Sequence, residues 1–319
     1  MINVTDAADP GASRSVDGVL AHREHTSAIY TLGSIPGTTV VLSSGGDGLV
    51  LGWDPARPNE VKALARIPNT VYALYSPRSG DLLVAGTSNG ELHFIDLNAK
   101  RELQRIKAHE KGIFQLTSLN DGRLVCAGGD GVLSVWRLAP DPLTAVPQLV
   151  LERSIPLSDT KLRDVDMAPG GSMLAVACGD GSVRVLDTQL FNDVAAFHAH
   201  DNGATAVAYH PGKPVLMSGG KDGYIRVWHT GEDYRLILEF AAHRSAIYRI
   251  AVDDKQRFIA TAGRDKTVKL WEASTFEPQQ RSDQNVRGHS HSVNALIWAG
   301  DELYSGSDDR RLLRWTPNR

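Results

Sequence analysis

The sequence has few cysteines, no long apolar run and no large excess of charge of either sign. Its two cysteines, Cys126 and Cys178, each lie within a predicted strand. They do not make a disulfide framework, so we expect a reducing compartment and a cytoplasmic protein. No apolar run is long enough to cross a membrane, and the polar residues from Met1 to Ser15 lack the apolar core of a signal peptide. A net charge of −3 argues against a general nucleic-acid footprint.

Motifs that carry known catalytic chemistry are also missing. The sequence has no phosphate-binding loop and no G-x-S-x-G nucleophile elbow. His198/His200 and His289/His291 have the spacing of some metal ligands, but no cluster of Asp, Glu or Cys accompanies them. Asp164 and Asp166 could form a carboxylate pair, but on a predicted strand we expect them to be solvated or salt-bridged. We therefore expect no enzymatic activity, no metal and no cofactor.

The sequence does contain a repeat of about 41 to 50 residues. Five copies place an Asp six positions before a Trp: Asp47 and Trp53, Asp130 and Trp136, Asp222 and Trp228, Asp265 and Trp271, and Asp309 and Trp315. Two more copies lack the Trp and run from Asn89-Gly90 to Asp96 and from Asp180-Gly181 to Asp187. Seven copies predict one supersecondary unit repeated around a closed ring. The 319 residues should therefore form one domain, although length alone suggests two.

Each repeat predicts four short antiparallel strands. In the copy that begins near His200, turn residues separate the apolar segments Ala204 to Tyr209, Pro214 to Ser218, Tyr224 to Trp228 and Arg235 to Phe240. The recurring Asp-Gly pair favours a tight hairpin between the second and third strands. Runs such as Leu82-Leu83-Val84 are apolar on both faces, which is typical of a sheet packed between two neighbours.

These residues and their spacing resemble the WD-repeat family of seven-bladed β-propellers over about 300 of the 319 positions. The resemblance implies an all-β fold of seven four-stranded antiparallel blades. Only four residues follow Trp315, so we predict that a strand within Val16 to Ala21 completes blade seven and closes the ring. We interpret residues 1–15 as a flexible segment and residues 16–319 as a single propeller domain.

The resemblance also implies that a hydrogen-bonded set of His, Ser or Thr, Asp and Trp holds each blade. Four blades carry a complete set: His25, Ser43, Asp47 and Trp53; His200, Ser218, Asp222 and Trp228; His243, Thr261, Asp265 and Trp271; His289, Ser305, Asp309 and Trp315. Blade three has His109, Asp130 and Trp136, with Cys126 where a hydroxyl is expected. Blades two and four lack the set, so packing should stabilise them. Because His200 and His289 belong to sets, we interpret both His-x-His pairs as structural.

In the resembled family, one first-strand side chain per blade and the residue before each turn Asp face the top rim of the channel. Among the residues at these positions, we predict that Tyr30, Tyr72, Phe114, Arg163, Lys221, Tyr248, Arg264 and Asp308 bind the partner. Aromatic and Arg residues are the usual anchors of recognition surfaces, although strand-one aromatics could instead fill the gaps between blades. We predict a non-enzymatic scaffold or adaptor whose top face binds an extended protein or peptide segment with apolar and acidic residues.

Several alternatives remain open from the sequence. The chain could be a subunit of an RNA-processing or ribonucleoprotein complex, or a propeller hydrolase or small-ligand binder that uses the central channel. Within the leading class, the Pro-rich segment from Ala139 to Pro147, on the opposite face, could carry the contact instead. The favoured expectation is a monomeric propeller within a hetero-complex, with neither nucleic acid nor a membrane as its partner.

Overall fold

The chain folds into 29 β-strands that form seven antiparallel sheets, in a computed structural model that describes residues 15–16, 19–77, 80–282 and 288–317. Blades one to three are built from β3 (Ile29–Ser34), β4 (Val41–Gly45), β5 (Leu49–Trp53), β6 (Val61–Arg66), β7 (Val71–Tyr75), β8 (Leu82–Thr87), β9 (Glu91–Asp96), β10 (Arg101–Lys107), β11 (Ile113–Ser118), β12 (Leu124–Gly128), β13 (Val132–Pro140) and β14 (Pro147–Pro156). Blades four to six are built from β15 (Leu162–Met167), β16 (Met173–Cys178), β17 (Ser182–Asp187), β18 (Asp193–His198), β19 (Ala204–Tyr209), β20 (Val215–Gly220), β21 (Tyr224–His229), β22 (Arg235–Ala241), β23 (Ile247–Val252), β24 (Phe258–Gly263), β25 (Val268–Glu272) and β26 (Pro278–Ser282). Blade seven comprises β27 (Val293–Ala299), β28 (Glu302–Ser307), β29 (Leu312–Trp315), β2 (Val19–His22) and β1 (Ser15–Val16).

The first strands of the blades line a closed ring. Each one packs beside the first strand of the next blade, and β27 of blade seven packs beside β3 of blade one. The predicted all-β fold of seven four-stranded blades is therefore confirmed. None of the described residues belongs to a helix long and apolar enough to span a membrane.

The hydrophobic core lies between the blades. It consists of seven clusters, each formed by the facing sides of two neighbouring sheets. Leu42 and Val50 of blade one, for example, pack with Val71 and Leu83 of blade two. Because every sheet has a neighbour on both sides, the inner strands are apolar on both faces, as their sequences indicate.

The N-terminal part of the chain closes the ring, as predicted. Strand β2 pairs antiparallel with β29, with Val19 opposite Trp315 and His22 opposite Leu312. The last repeat thereby gains its fourth strand, and its open edge is covered. Strand β1 pairs along the outer side of β2. Residues 1–14 lie outside the described residues, so the flexible N-terminal segment stays a prediction.

His22 of the closing strand should make the stability of the ring depend on pH. Its ring packs against Trp53 at 4.7 Å between centroids, and burial together with the nearby charge of Arg314 lowers its pKa from 6.5 to about 4. In the unfolded chain, His22 takes up a proton as the pH falls below its ordinary pKa of 6.5. In the folded chain, it stays neutral until the pH approaches about 4. The free energy of unfolding should therefore fall between pH 6.5 and about 4, by about 3 kcal/mol for this residue.

Urea unfolding from about pH 7 to about pH 4.5 checks this effect. A His22→Leu variant should lose less stability on acidification than the wild type. The control is His198→Leu, because the His198 side chain is 64% exposed. The reduced loss on acidification should be specific to His22→Leu. Equal acid sensitivity of His22→Leu and the wild type would contradict the assignment.

The hydrogen-bonded sets occur in blades one, five, six and seven. In blade seven, His289 Nδ1 lies 3.0 Å from Asp309, His289 Nε2 lies 2.7 Å from Ser305 Oγ, and Trp315 Nε1 donates to the same Oγ at 2.8 Å. Burial by itself raises the pKa of Asp309, but hydrogen bonds from His289 and other donors outweigh it and hold that pKa well below the ordinary value. The carboxylate thus fixes the imidazole, which accepts from the hydroxyl, and the hydroxyl accepts from the indole.

Blade three completes its set with a residue that the sequence pattern missed. Cys126 is buried and does not supply the expected hydroxyl. Ser134, its cross-strand partner on β13, lies 2.8 Å from His109 Nε2 and accepts from Trp136 Nε1 at 2.8 Å. The hydroxyl has moved to the neighbouring strand, where it reaches the same two nitrogen atoms.

Blades two and four carry other polar contacts in addition to their packing. In blade two, Thr87 donates to Asn89 Oδ1 at 2.6 Å, and Arg105 pairs with Glu91 at 2.8 Å. In blade four, Ser158 donates to Asp180 at 3.0 Å. The two blades thus have polar contacts of their own beside the packing expected from the sequence.

The Pro-rich segment of blade three is an extended hairpin. Strand β13 continues to Pro140, which lies opposite Pro147 at the start of β14. Asp141 caps the turn by accepting from the backbone N–H groups of Leu143 and Thr144 at 3.0 and 2.8 Å. Because β13 runs from the Asp130 turn to this hairpin, the hairpin projects from the face opposite the Asp turns. Leu143 at its tip is 95% exposed.

Candidate functional site at the channel mouth

A β-bulge in the first strand of every blade turns one side chain toward the mouth of the central channel. The pairing register with the second strand shifts around seven residues: Tyr30, Tyr72, Phe114, Arg163, Thr205, Tyr248 and Asn294. A bulge leaves one residue unpaired and redirects its side chain. All seven line a single depression at the mouth. The strands themselves therefore position this ring of side chains.

Three of these residues form the aromatic arc, Tyr30, Tyr72 and Phe114. The rings of Tyr30 and Tyr72 meet edge to face with centroids 5.3 Å apart, and those of Tyr72 and Phe114 stack at 5.3 Å. Each side chain is only partly buried, so the rings are not confined to the gaps between blades. Gly129 keeps space for the arc, since a Cβ there would lie 2.8 Å from the Phe114 ring.

The other side of the mouth is cationic. Arg163 lies over the Phe114 ring at 4.5 Å, and desolvation lowers the pKa of its guanidinium. It borders a second depression, the basic depression, whose charged lining residues are Lys111, Lys161, Arg163, Lys221, Arg264 and Asp159. Arg163, Thr205 and Tyr248 line both depressions, which are therefore continuous.

Asp308 completes the lining of the mouth between blades seven and one. Asn294 donates to Asp308 Oδ1 at 2.8 Å and to the Ile29 carbonyl at 2.9 Å, and so fixes the carboxylate beside Tyr30. Burial, then the charge of Asp308 and the neighbouring Tyr72, raise the pKa of Tyr30. With Asp308, all eight residues predicted for the top face line the two depressions. Tyr30, Tyr72, Phe114, Arg163, Tyr248 and Asp308 border the first depression, and Lys221 and Arg264 border the second.

Below the mouth, a buried polar network crosses the channel. Asp164 accepts from Gln115 Nε2 at 2.8 Å, from an Arg249 guanidinium nitrogen at 2.7 Å and from the backbone N–H of Val207 at 3.1 Å. One carboxylate of blade four thereby joins blades three, five and six. We did not predict this network, although Gln115, Asp164 and Arg249 each follow a bulged residue. Their common position along the first strand would have placed them together.

The two channel carboxylates, Asp164 and Asp166, differ in their surroundings. Asp164 is salt-bridged to Arg249, in line with the sequence-based expectation. Burial raises the pKa of Asp166 to about 6, with the charge of Asp164 adding to the shift and the N–H of Tyr209 opposing it. The described residues contain no group of three His, Cys, Asp or Glu side chains that could hold a metal ion. His198 contacts Asp201 at 3.2 Å, and His200 belongs to its blade set.

Comparisons with known proteins agree with this architecture. A family model described as "WD domain, G-beta repeat" matches residues 100–137, 151–187, 191–229 and 234–272. The chain is 22% identical over 312 residues to the WD repeat-containing protein 91 homolog of Dictyostelium discoideum. That match covers 90% of this chain and 38% of the relative. It is 26% identical over 183 residues to the ribosome biogenesis protein WDR12 homolog of Chlamydomonas reinhardtii. That match covers 46% of this chain and 41% of the relative.

Among solved structures, the WD40 β-propeller domain of Doa1 matches with a TM-score of 0.80. The match covers 94% of this chain and 96% of that chain at 15% sequence identity. At that identity, the likeness concerns the fold alone. The chain spans less than half of the length of either of the two relatives.

Proposed function

This chain belongs to the WD-repeat family of β-propellers, and we propose that it is a non-enzymatic adaptor that binds an extended protein segment across its channel mouth. The observation that carries the proposal is the set of seven bulges, which directs seven side chains at one mouth. Such a preorganised surface limits the side-chain entropy lost on binding. We envisage a monomeric propeller within a hetero-complex.

The chemistry of the mouth supports a segment with both apolar and acidic residues. The aromatic arc offers large, partly exposed ring surfaces, and aromatic side chains are frequent anchors of recognition surfaces. Arg163, Lys221 and Arg264 lie on the other side and favour anionic groups. A bound segment would place its apolar residues on the arc and its acidic residues toward blades four to six.

A Tyr72→Ala/Phe114→Ala double variant should lose this partner. If either ring is an anchor, binding should weaken by at least about 2 kcal/mol, which is about 30-fold in affinity. Affinity capture from the native cell, compared between wild type and variant, measures the loss. Tyr224→Ala is the matched control, because Tyr224 is an aromatic residue that is 38% exposed on blade five and lines neither depression.

Thermal unfolding of each variant must first show that the propeller is folded. A partner that is retained equally by the folded double variant and the wild type would move the interface elsewhere. The next surface to test would then be the β13–β14 hairpin, whose tip is capped by Asp141 and exposes Leu143. Capture of no partner would direct attention to metals and small ligands in the channel.

A role in a ribonucleoprotein complex is the second candidate. One similar protein is named a ribosome biogenesis protein, and five cationic residues line the basic depression. RNA binding through this patch would weaken steeply as salt increases, because each neutralised phosphate releases counterions. The net charge of −3 and the compact size of the patch favour the protein-binding role.

A further inference from the structure

The basic depression concentrates positive charge on a chain that is acidic as a whole. Five cationic side chains and one carboxylate, Asp159, line it. The cations come from four blades: Lys111 from blade three, Lys161 and Arg163 from blade four, Lys221 from blade five and Arg264 from blade six. The whole chain carries a net charge of −3. This local excess is therefore not a property of the overall composition.

Within the described part of the chain, the five cations also lack ion-pair partners, unlike many arginines elsewhere in the protein. Arg226 pairs with Asp222 and Glu239, and Arg257 pairs with Asp253 and Asp301. Across the part of the chain that the structure describes, none of the five makes a salt bridge or a side-chain hydrogen bond. Like charges that are held close together repel one another, so a bound anion would relieve that repulsion.

Arg163 is set up to receive an oxyanion. Its guanidinium carbon lies 4.5 Å from the centre of the Phe114 ring, and Lys161 Nζ lies 5.7 Å from the same centre. The described residues leave the N–H groups of this guanidinium without a hydrogen-bond acceptor, and such N–H groups match the oxygen atoms of carboxylate or phosphate. Gly129 and Gly179 also line the depression, and neither contributes a side chain that would cover it.

We infer that the basic depression binds the phosphoryl group of a phosphorylated serine or threonine in the partner segment. This inference rests on the proposed function, since the same segment would cross the aromatic arc. A phosphoryl group carries close to two negative charges and three acceptor oxygens, whereas a carboxylate carries one charge and two oxygens. A lining of five cations and one carboxylate matches the charge of the phosphoryl dianion better than that of a singly charged carboxylate. Arg163 joins the two depressions and would contact the phosphoryl group beside the arc.

The test uses the full chain and three degenerate peptide libraries. Each library has the same randomised flanks, and its central residue is phosphoserine, serine or glutamate. The phosphoserine library should bind at least about tenfold more tightly than the other two, as expected for charge-assisted hydrogen bonds to a dianion. A Lys221→Gln/Arg264→Gln variant should lose that preference, because both side chains are exposed and line the depression.

Arg310→Gln is the matched control. Arg310 is an exposed cation next to the turn Asp of blade seven, and it lines neither depression. It should leave the phosphoserine preference unchanged. Thermal unfolding should show that all three cation positions tolerate the substitution. A phosphoserine preference that survives in the Lys221→Gln/Arg264→Gln variant would overturn the assignment of the site.

The remaining outcomes separate this inference from the proposed function. Equal binding of the three libraries, with loss in the Tyr72→Ala/Phe114→Ala variant, would overturn the phosphoryl site and leave the peptide platform standing. Binding of mixed-sequence single-stranded RNA with a steep salt dependence, and of none of the peptides, would overturn both. Failure of every library to bind would also count against both.

Discussion

An Asp164→Ala variant is expected to lose about 3–5 kcal/mol of unfolding free energy, because it removes the buried member of an ion pair and leaves three donors without their acceptor. Asp164 is buried in the channel and accepts hydrogen bonds from Gln115, Arg249 and Val207, which belong to three other blades. Without its carboxylate, the Arg249 guanidinium loses its ion pair and Gln115 loses its acceptor. Urea unfolding at neutral pH measures the loss.

Two further variants separate charge from hydrogen bonding at this position. Asp164→Asn keeps an acceptor oxygen and removes the charge, so its cost should lie between those of the wild type and Asp164→Ala. Asp81→Ala removes an exposed carboxylate from the connection before β8 and should change stability by less than about 0.5 kcal/mol. A loss below about 1 kcal/mol in Asp164→Ala would mean that the network does not join the blades energetically.

The fold could be predicted from the sequence because its signals recur seven times. The spacing between turn Asp and Trp, together with the Asp-Gly hairpins, fixed the number of blades and the order of strands within each blade. The N-terminal closure followed from a physical requirement, since a blade without its fourth strand leaves an open edge. Repetition gives each weak local pattern several independent instances, and a single irregular copy does not alter the result.

The hydroxyl of the blade-three set could not be predicted in the same way, because the neighbouring strand supplies it. The pattern places a hydroxyl at position 126, and Cys126 reads there as a missing contact. Ser134 lies eight residues later, but the register sets it directly opposite Cys126. Cross-strand neighbours are adjacent in space and distant in sequence, so a hydroxyl can move between them without moving in three dimensions. A search for Ser or Thr at the paired position would have found it.

At the channel mouth, the sequence indicated which residues share a position but not how they are used. The eight predicted residues do line two continuous depressions. Their contacts with one another came only from the structure: the stacked arc, Arg163 over Phe114, and Asn294 bound to Asp308. Among the described residues, Lys221 and Arg264 have no ion-pair partner, which is also a three-dimensional property. Cations without such partners are available to an anionic ligand, as we propose for this depression.

Removing the Ser134 hydroxyl should be the second most damaging of these changes. Ser134→Ala leaves both His109 Nε2 and Trp136 Nε1 without a partner in a buried site. Each buried group left unsatisfied costs about 1–3 kcal/mol, so the variant should lose about 4 kcal/mol of unfolding free energy. Chemical denaturation of the purified chain measures it. Ser154→Ala is the control, because Ser154 lies opposite Ser134 on β14 with its side chain exposed.

A second substitution should reverse much of that loss. In the double variant Cys126→Ser/Ser134→Ala, the hydroxyl returns to the strand where the other complete sets carry it, as Ser43 and Ser218 do. His109 and Trp136 would regain their partner from position 126, and unfolding free energy should recover by at least about 2 kcal/mol relative to Ser134→Ala. Cys126→Ser alone should not stabilise, since the added hydroxyl would compete with Ser134 for one imidazole nitrogen. If the double variant were no more stable than Ser134→Ala, the two positions could not be exchanging one role, and the shared register would be a coincidence of packing.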